Sequence, residues 1–159
     1  GVVRIDVESA VEMQAAVEAQ VADYSIFIGC AAVADYRMES VAAQKMKKQA
    51  DSDTLTLQLV KNPDIIAGVA ARADKPFVVG FAAETQDVAR YALDKLQRKG
   101  LDMIAANDVS CAEQGFNADQ NALTVFWQNA QQELPLASKQ QVAQQLISLI
   151  IQRYQHETD

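Results

Sequence analysis

Apolar positions along this chain fall into two rhythms that take turns, short continuous or alternating runs and longer stretches repeating every three to four residues. The opening "VVRIDV" (2–7) reads as a strand. "SAVEMQAAVEAQVAD" (9–23) reads as a helix, opened by a capping box of Ser9 with Glu12 three residues on. "YSIFIGCAAVAD" (24–35) predicts a buried strand running into a small-residue turn. Residues 36–52 carry neither period and are expected as a long loop, and "TLTLQLV" (54–60) alternates like a strand. In "KNPDIIAGVAARA", Asn62 stands where an N-cap belongs and Pro63 at the first helical position, where its missing N–H costs nothing. "PFVVGFAAE" (76–84) predicts another apolar strand, "DVARYALDKLQRKG" (87–100) a helix stopped by Gly100, and "LDMIAANDV" (101–109) the next strand. "NALTVFWQ" and "QELPLA" read as a hairpin. "SKQQVAQQLISLIIQRYQ" follows as a closing helix, with Ser138 and Gln141 forming a second capping box.

Nearly all-apolar strands separated by helices indicate a parallel sheet covered on both faces. The expected fold is α/β, a Rossmann-like open and mostly parallel sheet with helices on both faces and a C-terminal β-hairpin plus helix. Residues 1–159 read as a single domain, without repeats, low-complexity segments or linkers.

Composition narrows the function classes. Half the residues are hydrophobic and 22% are charged, which fits a globular domain and excludes disorder. The longest apolar runs, such as "LISLII" at 146–151, fall well short of the roughly 20 residues that span a bilayer, so no membrane partner is expected. The opening lacks the n-region and cleavage pattern of a signal peptide, and the start at Gly1 rather than Met predicts a piece of a longer polypeptide. Cys30 and Cys111 form no disulfide framework and have no metal-ligand spacing, which suits a cytoplasmic setting. With a formal net charge of −7, nucleic-acid binding is disfavoured, because that affinity comes mostly from neutralising phosphates. The basic residues nevertheless cluster: Arg37, Lys45, Lys47, Lys48 and Lys61 in one group, Arg90, Lys95, Arg98 and Lys99 in another. A local positive field in an acidic molecule points to a small anionic ligand.

In open α/β sheets ligands bind beyond the carboxyl ends of the strands, which directs attention to "GCAAVADYR", "KNPD", "GFAAE" and "ANDV". The small residues of "GCAAVAD" (29–35) suit either a ligand lying against bare backbone or close helix–strand packing. "KNPD" places Lys61 at a strand end and opens a helix, with Asn62 and Asp64 explicable as helix-start residues or as part of an anion site. Phe81 is core or a wall for a nucleobase. Lys95 and Lys99, four apart on one helix face, are a solvated pair or ligands for phosphates. Neither G-x-G-x-x-G nor G-x-x-x-x-G-K-[ST] occurs. The single histidine, His156, lies in the terminal tail, so a nucleophile–histidine pair is not available, and no carboxylate–histidine cluster marks a metal site. Positioning and charge stabilisation by lysines is the chemistry left, as in enzymes that handle nucleotide phosphates.

"FIGCAAVADYR", "KMKK", "LVKNPDIIAGVA", "VVGFAAET", "ANDV" and "GFNADQNAL", in this order, resemble phosphopantothenate–cysteine ligase over essentially the whole chain, and the CTP-using bacterial type in particular. In many bacteria this ligase is the C-terminal half of a bifunctional coenzyme A biosynthesis protein, fused to a flavin-dependent phosphopantothenoylcysteine decarboxylase. FMN then belongs to the fused domain and not to this chain. The resemblance implies that the carboxylate of 4′-phosphopantothenate attacks the α-phosphate of CTP, with Mg²⁺, and that L-cysteine then displaces CMP. It implies a nucleotide site at Gly29, Cys30, Ala31, Asp35, Lys61, Asn62, Pro63, Asp64, Phe81, Lys95 and Lys99, and a catalytic, nucleotide-binding Lys45 on a flexible lid. A homodimer is implied, and a larger assembly in the fused protein.

One departure tempers the transfer. The family's domain begins with a further strand and a Gly/Ser-rich segment that carries an asparagine for the acyl-cytidylate and part of the phosphopantothenate site. Nothing here matches that segment, so the chain is expected to keep much of the CTP pocket and to lack part of the acyl site. The alternative to a complete ligase is a nucleotide-binding or dimerisation module.

Overall fold

The two longest uninterrupted apolar strands form the centre of the sheet, as their lack of a polar face demands. The computed structural model describes residues 1–42, 44–45, 54–110 and 118–158. Its main sheet has five strands in the order β1 (Ile26–Gly29), β4 (Phe77–Glu84), β5 (Met103–Asp108), β6 (Gln120–Trp127) and β7 (Ala130–Ser138). β1, β4 and β5 are parallel, and β6 and β7 add as the antiparallel hairpin expected at the C-terminal end. The hairpin reverses at Gln128 and Asn129, where Asn129 takes a positive φ of 63°. Asparagine is among the few non-glycine residues that tolerate this conformation.

Period-two alternation sends side chains to two separate cores. Phe77, Val79, Met103, Ala105, Leu123, Val125 and Leu134 pack on one face beneath α4 (Lys139–Thr158), which contributes Val142, Leu146, Leu149 and Ile150. Val78, Ala82, Ile104, Ala106 and Phe126 face the other side, against Ala92 and Leu96 of α3 (Val88–Lys99) and Val69 of α2 (Ile65–Ala70). Both capping boxes form. Ser9 opens α1 (Ala10–Glu18) with Glu12, and Ser138 and Gln141 exchange hydrogen bonds at the start of α4. Gly100 ends α3 in the left-handed region, φ 66°. The sheet is thus the Rossmann-like α/β arrangement read from the pattern, with helices on both faces.

Five expectations are corrected. Residues 2–7 form no strand, because no described strand lies beside them to complete the ladder, and Val2 stays 96% exposed. Within 36–52, expected as loop, Tyr36–Met38 form β2, paired antiparallel with β3 (Leu59–Lys61) in a separate two-stranded ribbon. Of the strand expected over 54–60 only the end pairs, since β2 offers three residues to pair with. The helix expected from Asn62 starts later. Asp64 is the N-cap, its carboxylate accepting from Ala67 N at 3.3 Å, and Asn62 and Pro63 precede the helix. Helix 9–23 also breaks after Glu18, its tail continuing as a 3₁₀ turn at Val21–Asp23. Lys47, Lys48 and Cys111 lie outside the described residues.

Candidate functional site

Parallel strands deliver their C-terminal ends to one edge of the sheet, and there a cleft of about 810 Å³ opens. One wall is the segment after β1, from Gly29 through Cys30 and Ala31 to Asp35. The facing wall is the β3–α2 turn, Lys61, Asn62, Pro63 and Asp64. Phe81 and the C-terminal part of β4 form the floor, and α3 contributes Lys95, Arg98 and Lys99. The structure therefore gathers eleven of the twelve residues singled out from the sequence. Lys45 is exposed and does not line the cleft.

Glycine at the floor answers a packing need as well. A Cβ at Gly29 would stand 2.9 Å from Ile66 Cδ1. One at Gly80, its partner across the ladder, would stand 2.7 Å from Leu101 Cδ1 and 3.2 Å from Ile66 Cδ1. Their bareness lets α2 sit down on β1 and β4 and brings the KNPD turn to the cleft. Of the two readings of "GCAAVAD", close packing accounts for Gly29, while Cys30, Ala31 and Asp35 are exposed residues of the cleft wall.

Two of the cations are held by internal partners. Lys99 Nζ lies 2.8 Å and 3.0 Å from the two carboxylate oxygens of Asp64, and Lys95 Nζ donates to the Phe81 carbonyl at 2.9 Å. Burial pushes the Lys95 ammonium below its ordinary range, helped by the neighbouring positive charges of Lys99 and Arg98. Burial acts first on Asp64 too, upward. The Lys99 hydrogen bond, the Ala67 N–H and the charges of Lys99 and Arg98 outweigh it and hold the carboxyl below the usual carboxylate range. A half-buried ammonium with a depressed pKa gains from an anion brought alongside.

Four polar side chains in the cleft were not among the sequence candidates: Arg98, Asn107, Asn121 and Lys139. Asn107 belongs to the strand exit "ANDV", and Arg98 to the second basic group. Asn121 lies in the motif "GFNADQNAL", and Lys139 carries no local signal. They arrive because an antiparallel strand starts where its parallel neighbour ends, which places the start of β6 and the end of β7 at the same edge.

Residues 1–154 match the family described as the DNA/pantothenate metabolism flavoprotein C-terminal domain. This chain belongs to that family. Among its relatives, the coenzyme A biosynthesis bifunctional protein CoaBC of Vibrio cholerae is 60% identical over 151 residues, 94% of this chain and 38% of the relative. CoaBC of Escherichia coli K12 is 58% identical over 153 residues, 95% of this chain and again 38% of the relative. The chain thus spans well under half the length of these relatives, whose C-terminal part it resembles. Among solved structures, the C-terminal domain of a CoaBC superposes with a TM-score of 0.74 at 32% identity, covering 98% of this chain and 66% of that one. The DNA/pantothenate metabolism flavoprotein from Streptococcus pneumoniae does so with 0.70 at 25% identity, covering 94% and 70%. The family read from the six motifs and the open α/β fold read from the apolar pattern are those found. No helix among the described residues is long and apolar enough to cross a membrane.

Proposed function

We propose that this domain catalyses the ligation of 4′-phosphopantothenate to L-cysteine with CTP in coenzyme A biosynthesis. The observation that carries the reading is the cleft itself, with small backbone-rich residues on one wall and Lys61, Lys95, Arg98 and Lys99 around the rest. Family membership and the naming of the relatives as coenzyme A biosynthesis proteins support it. In the first step a carboxylate oxygen of phosphopantothenate bonds to the α-phosphorus of CTP, and the bond to the β-phosphate oxygen breaks, releasing pyrophosphate. In the second the cysteine amine attacks the acyl carbon, loses a proton and displaces CMP. Nothing in this scheme requires a protein nucleophile; it requires the triphosphate to be held and its growing negative charge to be met by cations.

The chain's residues divide that work. Gly29, Cys30, Ala31 and Phe81 bound the nucleoside, and Asp35 and the KNPD residues frame the ribose and phosphates. Lys95 and Lys99 exchange their internal partners for phosphate oxygens. Asp35, an exposed carboxylate of the cleft wall, would hold the Mg²⁺ that accompanies CTP, and the cation would offset phosphate charge there. Lys45 lies on the segment beyond β2 and acts from outside, closing on bound nucleotide.

The test is turnover of the full-length protein with CTP, ATP, 4′-phosphopantothenate and cysteine, alongside calorimetric binding of CTP to this domain. CTP-dependent amide formation is expected, with Lys45→Gln slowing acyl-cytidylate formation by about 100-fold or more while CTP binding survives. Wild-type turnover by Lys45→Gln would remove that residue from the chemistry. A domain that binds CTP while the full-length protein forms no amide would leave the nucleotide-binding module as the function.

A further inference from the structure

The two cleft walls come from segments about thirty residues apart, and one polar knot ties them together. Asn62, on the KNPD turn, is 9% exposed and is the one buried polar residue among those described. Its side-chain amide donates to the Ala34 carbonyl at 2.9 Å, and its backbone N–H donates to the Asp35 carbonyl at 2.7 Å. Both acceptors belong to the wall that follows β1. Arg37, two residues further along, reaches back: its Nη1 donates to the Lys61 carbonyl at 2.9 Å and to Asn62 Oδ1 at 3.3 Å. Four hydrogen bonds thus close a loop through Ala34, Asp35, Arg37, Lys61 and Asn62.

Arg37 is unusual in what it bonds. No carboxylate among the described residues pairs with it, and its contacts among them go to a backbone carbonyl and a side-chain amide. Its Nη1, held in the guanidinium plane, donates to both acceptors at once and so sets them relative to one another. The acceptor Asn62 Oδ1 is also the atom that decides which way the Asn62 amide faces. With Arg37 donating to Oδ1, Nδ2 is left aimed at Ala34.

We infer that Arg37 is a positioning residue. Through Asn62 it fixes the separation and orientation of the two walls, so that the 30–35 backbone and the KNPD turn are presented to a nucleotide already in place. Its effect on ligand affinity rests on the nucleotide reading above; its effect on wall geometry does not. A wall that must be ordered at the moment of binding costs affinity, and a wall ordered beforehand does not.

Hydrogen exchange and CTP titration of this domain test the inference together. Arg37→Ala should raise exchange of the Asn62 amide, whose N–H donates to Asp35 across the two walls, by about tenfold and weaken CTP binding by about tenfold. Exchange in β4 and β5 and the thermal midpoint should stay near wild type, because Arg37 is exposed and outside both cores. Arg37→Lys should recover part of both losses. Asn62→Asp keeps the acceptor for Arg37 and deletes the side-chain donor to Ala34, and should raise exchange of the residue 62 amide even with Arg37 intact. Unchanged exchange at residue 62 in Arg37→Ala would overturn the inference, as would loosening spread equally through β4 and β5. Failure of the wild-type domain to bind CTP would count against the ligase reading alone, with exchange still deciding the role of Arg37.

Discussion

The first 76 residues and the remainder of the chain are both rich in apolar side chains, yet they treat them differently. Among the described residues, Val21 and Val69 are the buried hydrophobics before Phe77; every other one lies from Phe77 onward. The early region instead leaves Val2, Val3, Ile5, Tyr24, Tyr36, Met38, Val41, Leu55, Leu57 and Leu59 exposed. The difference lies in neighbours. β4 and β5 each have a strand on both sides and a helix over each face, whereas β2 and β3 each have a partner strand on one side only and, among the described residues, no core cluster of their own. The early region supplies the two facing walls of the cleft, and the later region supplies its floor and the cations of α3.

The largest effect should come from the floor. Ile104, fully buried between β5 and α3, should cost about 2–5 kcal/mol when cut to alanine, read from denaturant unfolding. Leu57→Ala, of similar size and half exposed, should stay within about 0.5 kcal/mol. Equal losses would erase the contrast.

Gly80→Ala sits where the regions meet. Its new Cβ would press on Leu101 and on Ile66 of α2, so a loss of about 1–3 kcal/mol is expected, with CTP affinity falling because α2 carries the KNPD turn. Unchanged affinity despite the stability loss would show that the walls do not depend on the floor.

Two smaller effects are electrostatic. The Asp64 carboxyl titrates below its unfolded value of about 3.9, so its contribution is complete above that pH and is lost as pH falls through the folded value. Asp64→Asn should therefore flatten the decline of the melting temperature between about pH 5 and 3; an unchanged slope would mean the Lys99 pair contributes nothing to folding. Lys95 has the opposite sign of demand. Its ammonium is disfavoured in the fold, a cost present at neutral pH that eases as pH rises through the folded value toward about 10.4. Lys95→Met should remove that alkaline gain and weaken CTP binding. A variant that binds CTP as wild type does would take Lys95 out of the phosphate site.

Particular residues show how much was legible. Ser9 with Glu12 and Ser138 with Gln141 announced two helix starts, because capping is settled by side chains three residues apart. Gly100 announced a helix end for an equally local reason. Asn62 misled: its type and place before Pro63 suit an N-cap, yet its partners are Ala34 and Arg37, 28 and 25 residues away. Val2–Val7 misled in the same way, since a strand exists only with a second strand beside it.

Local order, then, was the sequence's own work: the starts of α1 and α4, the end of α3, which strands are apolar on both faces, and a set of motifs specific enough to name the family. Tertiary structure alone decided which apolar stretches found partners, that Gly29 and Gly80 yield their space to Ile66, and that Asn121 and Lys139 share a cleft with Asp35. It also decided that Lys45 stands outside that cleft. The physical reason is range. Caps and turns are closed by hydrogen bonds within a few residues, while burial, ion pairing and the cleft depend on contacts between segments that only the completed sheet brings together.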